Sequence, residues 1–269
     1  MRAWTIVIGL ACAAGPAAAQ EFALAQLEKS PRHHEWIEVT SGERAVHCFV
    51  AYPEKAKDAL AVVVIHENRG LTDWVRSFAD QLAGKGFIAI APDLLSGFDD
   101  AHERTSDFPS SDSARAALYE LDPGQVMSDL LAVRARAETL DGANGKTAVA
   151  GFCWGGSQSF RMATRSPELV AAMVFYGSPP QDSTAYTGIA APVYGFYGED
   201  DQRINATIDG VKSRMKALGK TYEPVIHPGA GHAFMRRGDD PAEKGSANAK
   251  ARDEAWKRLV KALEKAGSK

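Results

Sequence analysis

Cys153 stands in Gly151-Phe152-Cys153-Trp154-Gly155-Gly156, a thiol with glycine two residues before it and two after. Where a strand turns sharply into a helix, the central residue is strained and its neighbours two positions away are pressed together. Glycine at both of those positions removes the clash. Such a turn lifts the sulfur above the sheet and sets it at a helix N-terminus, whose partial positive charge favours a thiolate. The chemistry expected of it is nucleophilic attack on a carbonyl carbon. With 3 Cys and 24 Gly in 269 residues, the spacing arises by chance about 0.02 times per chain. The competing reading is a small buried Cys beside a glycine-rich turn.

A thiol nucleophile needs a base, and the base needs an acid to orient it. Only two histidines follow Cys153. His227 ends the apolar run Tyr222–Ile226 and reads as structural, whereas His232 closes Pro228-Gly229-Ala230-Gly231-His232, a loop directly before the last helix. His232 is therefore the expected base. The acid is expected in Gly198-Glu199-Asp200-Asp201, after a strand over 193–197, where Gly-x-x-Asp spacing favours Asp201 over Asp200. Upstream, His66-Glu67-Asn68-Arg69-Gly70 follows the apolar run Ala59–Ile65. Loops at the carboxyl ends of parallel strands form the ligand crevice. The backbone N–H groups of Asn68 and Trp154 are the expected oxyanion donors, each contributing about 3 kcal/mol. His66 and Glu67 are neighbours rather than four apart on a helix, so no metal site is expected.

These groups need a rigid frame, and the chain alternates strand and helix patterns. A hairpin (Trp36–Val39, Val46–Tyr52) precedes strands at Ala59–Ile65, Phe87–Ala91, 147–152, 171–176 and 192–197. Helices are expected from Asp73 to about Gly84, from Pro123 to Leu140, and near 155–165, 205–218 and 241–265. Residues 96–112, rich in Asp, Ser, Gly and Pro, read as a surface excursion. Strand–helix alternation predicts a doubly wound, mostly parallel sheet with helices on both faces. An elbow nucleophile followed by acid and then His makes that sheet an α/β-hydrolase fold.

Composition is that of an ordinary globular chain, 45% hydrophobic and 24% charged. A net charge of −3 with scattered basic residues argues against nucleic acid as a partner. Residues 1–19 read as a secretory leader: Met1-Arg2, an apolar run from Thr5 to Ala14, then Ala17-Ala18-Ala19 before Gln20. The run is too short to span a bilayer. The expectation is therefore cleavage after Ala19, export to a periplasmic location, no stable membrane association, and one domain over 20–269. That domain retains Cys48 and Cys153, which an oxidising compartment would allow to pair unless Cys153 is catalytic.

Gly-Phe-Cys-Trp-Gly-Gly, with His-Glu-Asn-Arg-Gly upstream and Gly-His-Ala-Phe-Met-Arg downstream, resembles the dienelactone hydrolase family of α/β-hydrolases over roughly residues 35–265. The resemblance puts Cys153, Asp201 and His232 in the triad positions. It implies that Glu67 helps to control ionisation of the thiol and that Arg236 holds a substrate carboxylate. A second carboxylate-binding arginine is implied before the Pro123 helix, where Arg104 and Arg115 both lie and spacing mildly prefers Arg115. The expected activity is hydrolysis of a small carboxylated ester or lactone through a thioester. No cofactor is implied, and the chain would act as a monomer or small homo-oligomer. The alternatives are a general carboxylesterase or thioesterase on the same triad, and a non-catalytic binding protein of this fold.

Overall fold

The computed structural model describes residues 18–268. The expected leader therefore lies outside the described residues, except for Ala18 and Ala19, which open the first helix, α1 (Ala18–Glu28). Two strands follow, β1 (His34–Ser41) and β2 (Arg44–Ala51), joined at Gly42, whose φ of +62° suits the tight turn. Strand β2 is buried from Val46 to Ala51 between β1 and the rest of the sheet.

The next units alternate as the sequence predicts. They are β3 (Ala59–Ile65), α2 (Asp73–Ala83) and β4 (Ile88–Pro92). After a surface stretch come α3 (Ser111–Glu120) and α4 (Pro123–Ala137). The elbow joins β5 (Ala143–Phe152) to α5 (Trp154–Ala163). The last third holds β6 (Ala171–Phe175), β7 (Val193–Gly198), α6 (Gln202–Asn205), α7 (Ile208–Ala217), β8 (Tyr222–His227), α8 (Phe234–Asp239) and α9 (Ala247–Gly267).

The sequence pattern predicts no helix over 111–120, where the structure forms α3. Ser110 and Ser113 cap it reciprocally, and it buries Ala114, Ala117 and Leu118 at helical spacing against Leu95. The helix expected near 205–218 is α7, with the short α6 ahead of it, and α9 begins at Ala247 behind the separate short helix α8.

All eight strands form one sheet in the order β1-β2-β4-β3-β5-β6-β7-β8. β1–β2 and β2–β4 are antiparallel; every other pair is parallel. The sheet separates two cores, and β3 shows how. Val62 and Val64 face a core that includes Phe78 of α2, Ala23 of α1 and Leu259 of α9, while Ala61, Val63 and Ile65 face Leu130 of α4 and Met215 of α7. Each such Val, Ile or Leu side chain contributes about 1.5–3 kcal/mol on full burial. Strand order reverses around β3, which lies between β4 and β5, and a doubly wound sheet opens its crevice at such a reversal. The loops after β3 and β5 are therefore neighbours by topology.

Candidate active site

The strand-to-helix turn is as sharp as the glycines imply. Cys153 sits at φ 54°, ψ −114°, a conformation non-glycine residues rarely adopt. It is held there by its N–H donating to Phe175 O at 3.0 Å and by Ser157 N–H donating to its own carbonyl at 3.1 Å. A Cβ on Gly151 would fall 2.0 Å from Gly155 O, and one on Gly155 would fall 2.3 Å from His66 O. Both contacts are to backbone, which cannot step aside. Gly155 thus lets α5 rest on the end of β3, which brings the Asn68 loop to the elbow. Trp154 N–H faces the Cys153 sulfur, and as the first residue of α5 its N–H has no partner within the helix.

Asp201 and His232 come together from the ends of β7 and β8. His232 Nδ1–H donates to Asp201 Oδ2 at 2.5 Å, leaving Nε2 as the free ring nitrogen. Asp201 is buried, whereas Asp200 is exposed and uses its backbone N–H to bond Ala230 O. Of the two aspartates, Asp201 is the one paired with His232. Gly198 permits the approach: a Cβ there would meet Ala230 O at 2.5 Å. His227 is buried and bonds Glu254 at 3.3 Å, a structural position.

Glu67 is only 7% exposed, and Arg236 Nε–H donates to its Oε2 at 2.7 Å. The Glu67 carboxylate holds the guanidinium charged, raising its pKa against the opposing effect of burial. The helix terminus favours the Cys153 thiolate as expected, but other groups outweigh it. Burial, then the negative charge of Glu67, push the Cys153 thiol up to about 11, and the Trp154 N–H and the Arg203 charge only partly offset this. Cys153 is a free thiol, as is Cys48, which is buried in β2 with its pKa raised by burial.

His66, fully buried at the base of this loop, is held as one tautomer. Nδ1–H donates to Glu67 O at 2.7 Å, and Nε2 accepts from Leu94 N–H at 3.4 Å. Protonation would break the second bond, and burial pushes the pKa below its usual range. The unfolded chain takes up this proton near pH 6.5 and the folded chain does not. Stability is therefore complete above about pH 6.5 and falls as pH drops towards the folded pKa. The thermal midpoint is expected to decline from pH 7 to 5, and less steeply in His66→Gln. An unchanged slope in that variant would assign the loss to His227, whose pKa burial also lowers.

Three residues at this end of the sheet were not anticipated. Tyr176 follows β6 at φ 41°, fully buried, with its hydroxyl donating to Glu67 Oε1 at 3.4 Å and its ring 5.0 Å from the His232 imidazole. Burial, then Glu67, hold its phenol well above the usual range, so it remains a donor. Tyr119 of α3 is exposed and accepts a hydrogen bond from Asn68 Nδ2 at 3.3 Å. Arg115, one turn earlier, places its guanidinium 5.9 Å from the Tyr119 ring, which puts it on the Asn68 side of the elbow. Arg104 points elsewhere, onto Trp36. Arg203 of α6 carries a positive charge felt at Cys153 and bonds Ser178 Oγ at 3.4 Å.

Among the described residues no group of three His, Cys, Asp or Glu is placed to hold a metal ion, and no helix is long and apolar enough to cross a membrane. Residues 46–267 match the sequence profile of the dienelactone hydrolase family. A protein of Saccharolobus solfataricus named "Putative carboxymethylenebutenolidase" is 31% identical over 246 residues, covering 80% of this chain and 91% of its own. A Methylorubrum extorquens protein of the same name is 30% identical over 234 residues, covering 83% of this chain and 78% of its own. Among solved structures, a dienelactone hydrolase homologue from Klebsiella pneumoniae superposes with a TM-score of 0.74 at 24% identity, covering 87% of this chain and 98% of that one.

Proposed function

The chain belongs to the dienelactone hydrolase family, and from that premise we propose that it opens small carboxylated lactones or esters through a thioester on Cys153. The observation that carries this reading is the Arg236–Glu67 ion pair, whose carboxylate is also the strongest charge acting on the Cys153 thiol. A substrate carboxylate competes with Glu67 for the Arg236 fork, and bidentate pairing favours it. Glu67, released, is the base that takes the thiol proton. The sulfur then attacks the carbonyl carbon, and the electron pair displaced onto oxygen is stabilised by the N–H groups of Asn68 and Trp154.

Collapse of that intermediate expels the ring oxygen, which receives the proton taken from the thiol. His232, oriented by Asp201, removes a proton from water; the hydroxide cleaves the thioester, and the proton returns to sulfur. Ring opening leaves the expelled oxygen tethered to the acyl group, so deacylation must outrun reclosure.

The test is hydrolysis of a dienelactone and a neutral aryl ester side by side. The lactone is expected to be the better substrate by kcat/KM. Arg236→Ala is expected to raise KM for the lactone by about 10²-fold, the worth of a partly buried charge-assisted pair, without lowering the rate on the neutral ester. Equal loss on both would remove Arg236 from carboxylate recognition. Faster turnover of the neutral ester by the unaltered protein would move the substrate class to general carboxylic esters.

The basic start and short apolar run of residues 1–19 support export, with the mature chain beginning at Gln20. Expression in a Gram-negative host followed by N-terminal sequencing of the periplasmic fraction checks this. A cytoplasmic product that keeps Met1 would refute it.

A further inference from the structure

A cleft of about 420 Å³ lies between β1, the start of α2 and the start of α3, and of the residues weighed for the reaction only Arg104, which points away from the elbow, lines it. Its wall carries three arginines, Arg69, Arg76 and Arg104, against two carboxylates, Asp73 and Asp93. Both carboxylates are already committed. Asp73 is ion-paired with Arg76. Asp93, 1% exposed, accepts hydrogen bonds from the N–H groups of Leu95 and Thr105 and from the Thr105 hydroxyl.

Arg69 and Arg104 have no carboxylate within ion-pair distance among the described residues. Arg104 is nonetheless held in place. Its guanidinium lies 4.7 Å from the centre of the Trp36 ring, and its Nη2–H donates to His47 Nδ1 at 3.4 Å. The same His47 ring donates from Nε2 to Glu103 at 2.7 Å, which fixes Nδ1 as the acceptor. A guanidinium stacked on an aromatic face is a preorganised fork with most of its N–H groups still unused.

We propose that this cleft is a binding site for a small oxyanion-bearing molecule, a carboxylate or a phosphate monoester, gripped by Arg69 and Arg104. Neither guanidinium is ion-paired, the wall sums to a net charge of +1, and the guanidinium fork fits either anion in bidentate fashion. The volume is that of a small-molecule site. The first residues of α2 line the same cleft, and Thr72 gives α2 no side-chain cap, so its first-turn N–H groups add a favourable field. The floor is also tied to the loop that carries Glu67 and Asn68. Leu71 N–H donates to Thr105 Oγ1 at 3.0 Å, and Gly70 packs so closely on Thr105 that a Cβ would fall 2.2 Å from that oxygen. A ligand on Arg69 therefore braces the segment that bears the oxyanion donor.

Calorimetric titration of the purified protein at low ionic strength, with inorganic phosphate and separately with phthalate, tests this without any reading of hydrolysis. Saturable one-to-one binding of at least one anion is expected, weakened about tenfold or more in Arg69→Ala and in Arg104→Ala. Arg236→Ala removes any anion binding in the reaction cleft and is expected to leave the event that depends on Arg69 and Arg104 unchanged. Arg104→Lys keeps a charge at Trp36 without the fork, and so gives an intermediate loss that a misfolded variant would not. Binding of phosphate alone assigns the site to phosphate esters, and binding of phthalate alone assigns it to carboxylates. With Arg236→Ala in the background, no saturable binding of either, or binding that survives both Arg69→Ala and Arg104→Ala, overturns the proposal, while the reading of Cys153 stands or falls separately.

Discussion

Cys153→Ala is expected to lower kcat for lactone opening by at least about 10⁴-fold while leaving the protein folded. The substitution removes one sulfur from a half-buried position and keeps the Cβ, so the strained turn and its two backbone hydrogen bonds are retained. What is lost is the covalent route, and the residual rate is what oxyanion donors and binding alone supply. The resting thiol adds a second readout. Pushed up to about 11 by burial and by Glu67, it is thiolate in roughly one molecule in 10⁴ at pH 7. Alkylation of the resting enzyme should therefore be slow at neutral pH and rise steadily into the alkaline range. Rapid alkylation at pH 7 without a bound carboxylate would mean that the thiolate is already present, and Glu67 would lose its assigned part.

The sign of that shift marks where sequence ceased to be enough. The elbow was legible because Gly151 and Gly155 are demanded by backbone approaches of 2.0 and 2.3 Å, and such demands leave a fixed spacing in the chain. The pairing of Asp201 with His232 was legible from their positions after strands, since strand ends in a doubly wound sheet converge. The thiol's ionisation was not. A helix terminus is visible in a sequence, but its weight against burial and Glu67 depends on how far the Asn68 loop folds over the sulfur. Tyr176 was hidden for a similar reason: in sequence it extends a strand, and only its turn to φ 41° brings its hydroxyl to Glu67. Helix α3 was masked by composition, because the serines that cap it are the residues that make 96–112 look like loop.

Asp201→Asn is expected to lower kcat by about 10³–10⁴-fold, whereas Asp200→Asn should stay within about twofold, its side chain being in solvent. The reason lies in the tautomer. Asp201 accepts Nδ1–H at 2.5 Å and so keeps Nε2 of His232 free to take a proton. An asparagine amide can instead donate to Nδ1, which places the ring hydrogen on Nε2 and removes the base. Because the proton on Cys153 is assigned to Glu67 and the proton on water to His232, the two halves of the reaction should separate. With a carboxylated aryl ester, whose leaving group departs and cannot reclose, Asp201→Asn would still release about one equivalent of phenol and then stall as a thioester on Cys153, visible as an added acyl mass on the intact protein. Cys153→Ala would show neither the burst nor the mass. If Asp201→Asn instead loses the first turnover in parallel with the steady state, His232 also serves the thiol, and the division of labour between the two bases is wrong. If Asp200→Asn is the more damaged variant, the acid has been assigned to the wrong aspartate.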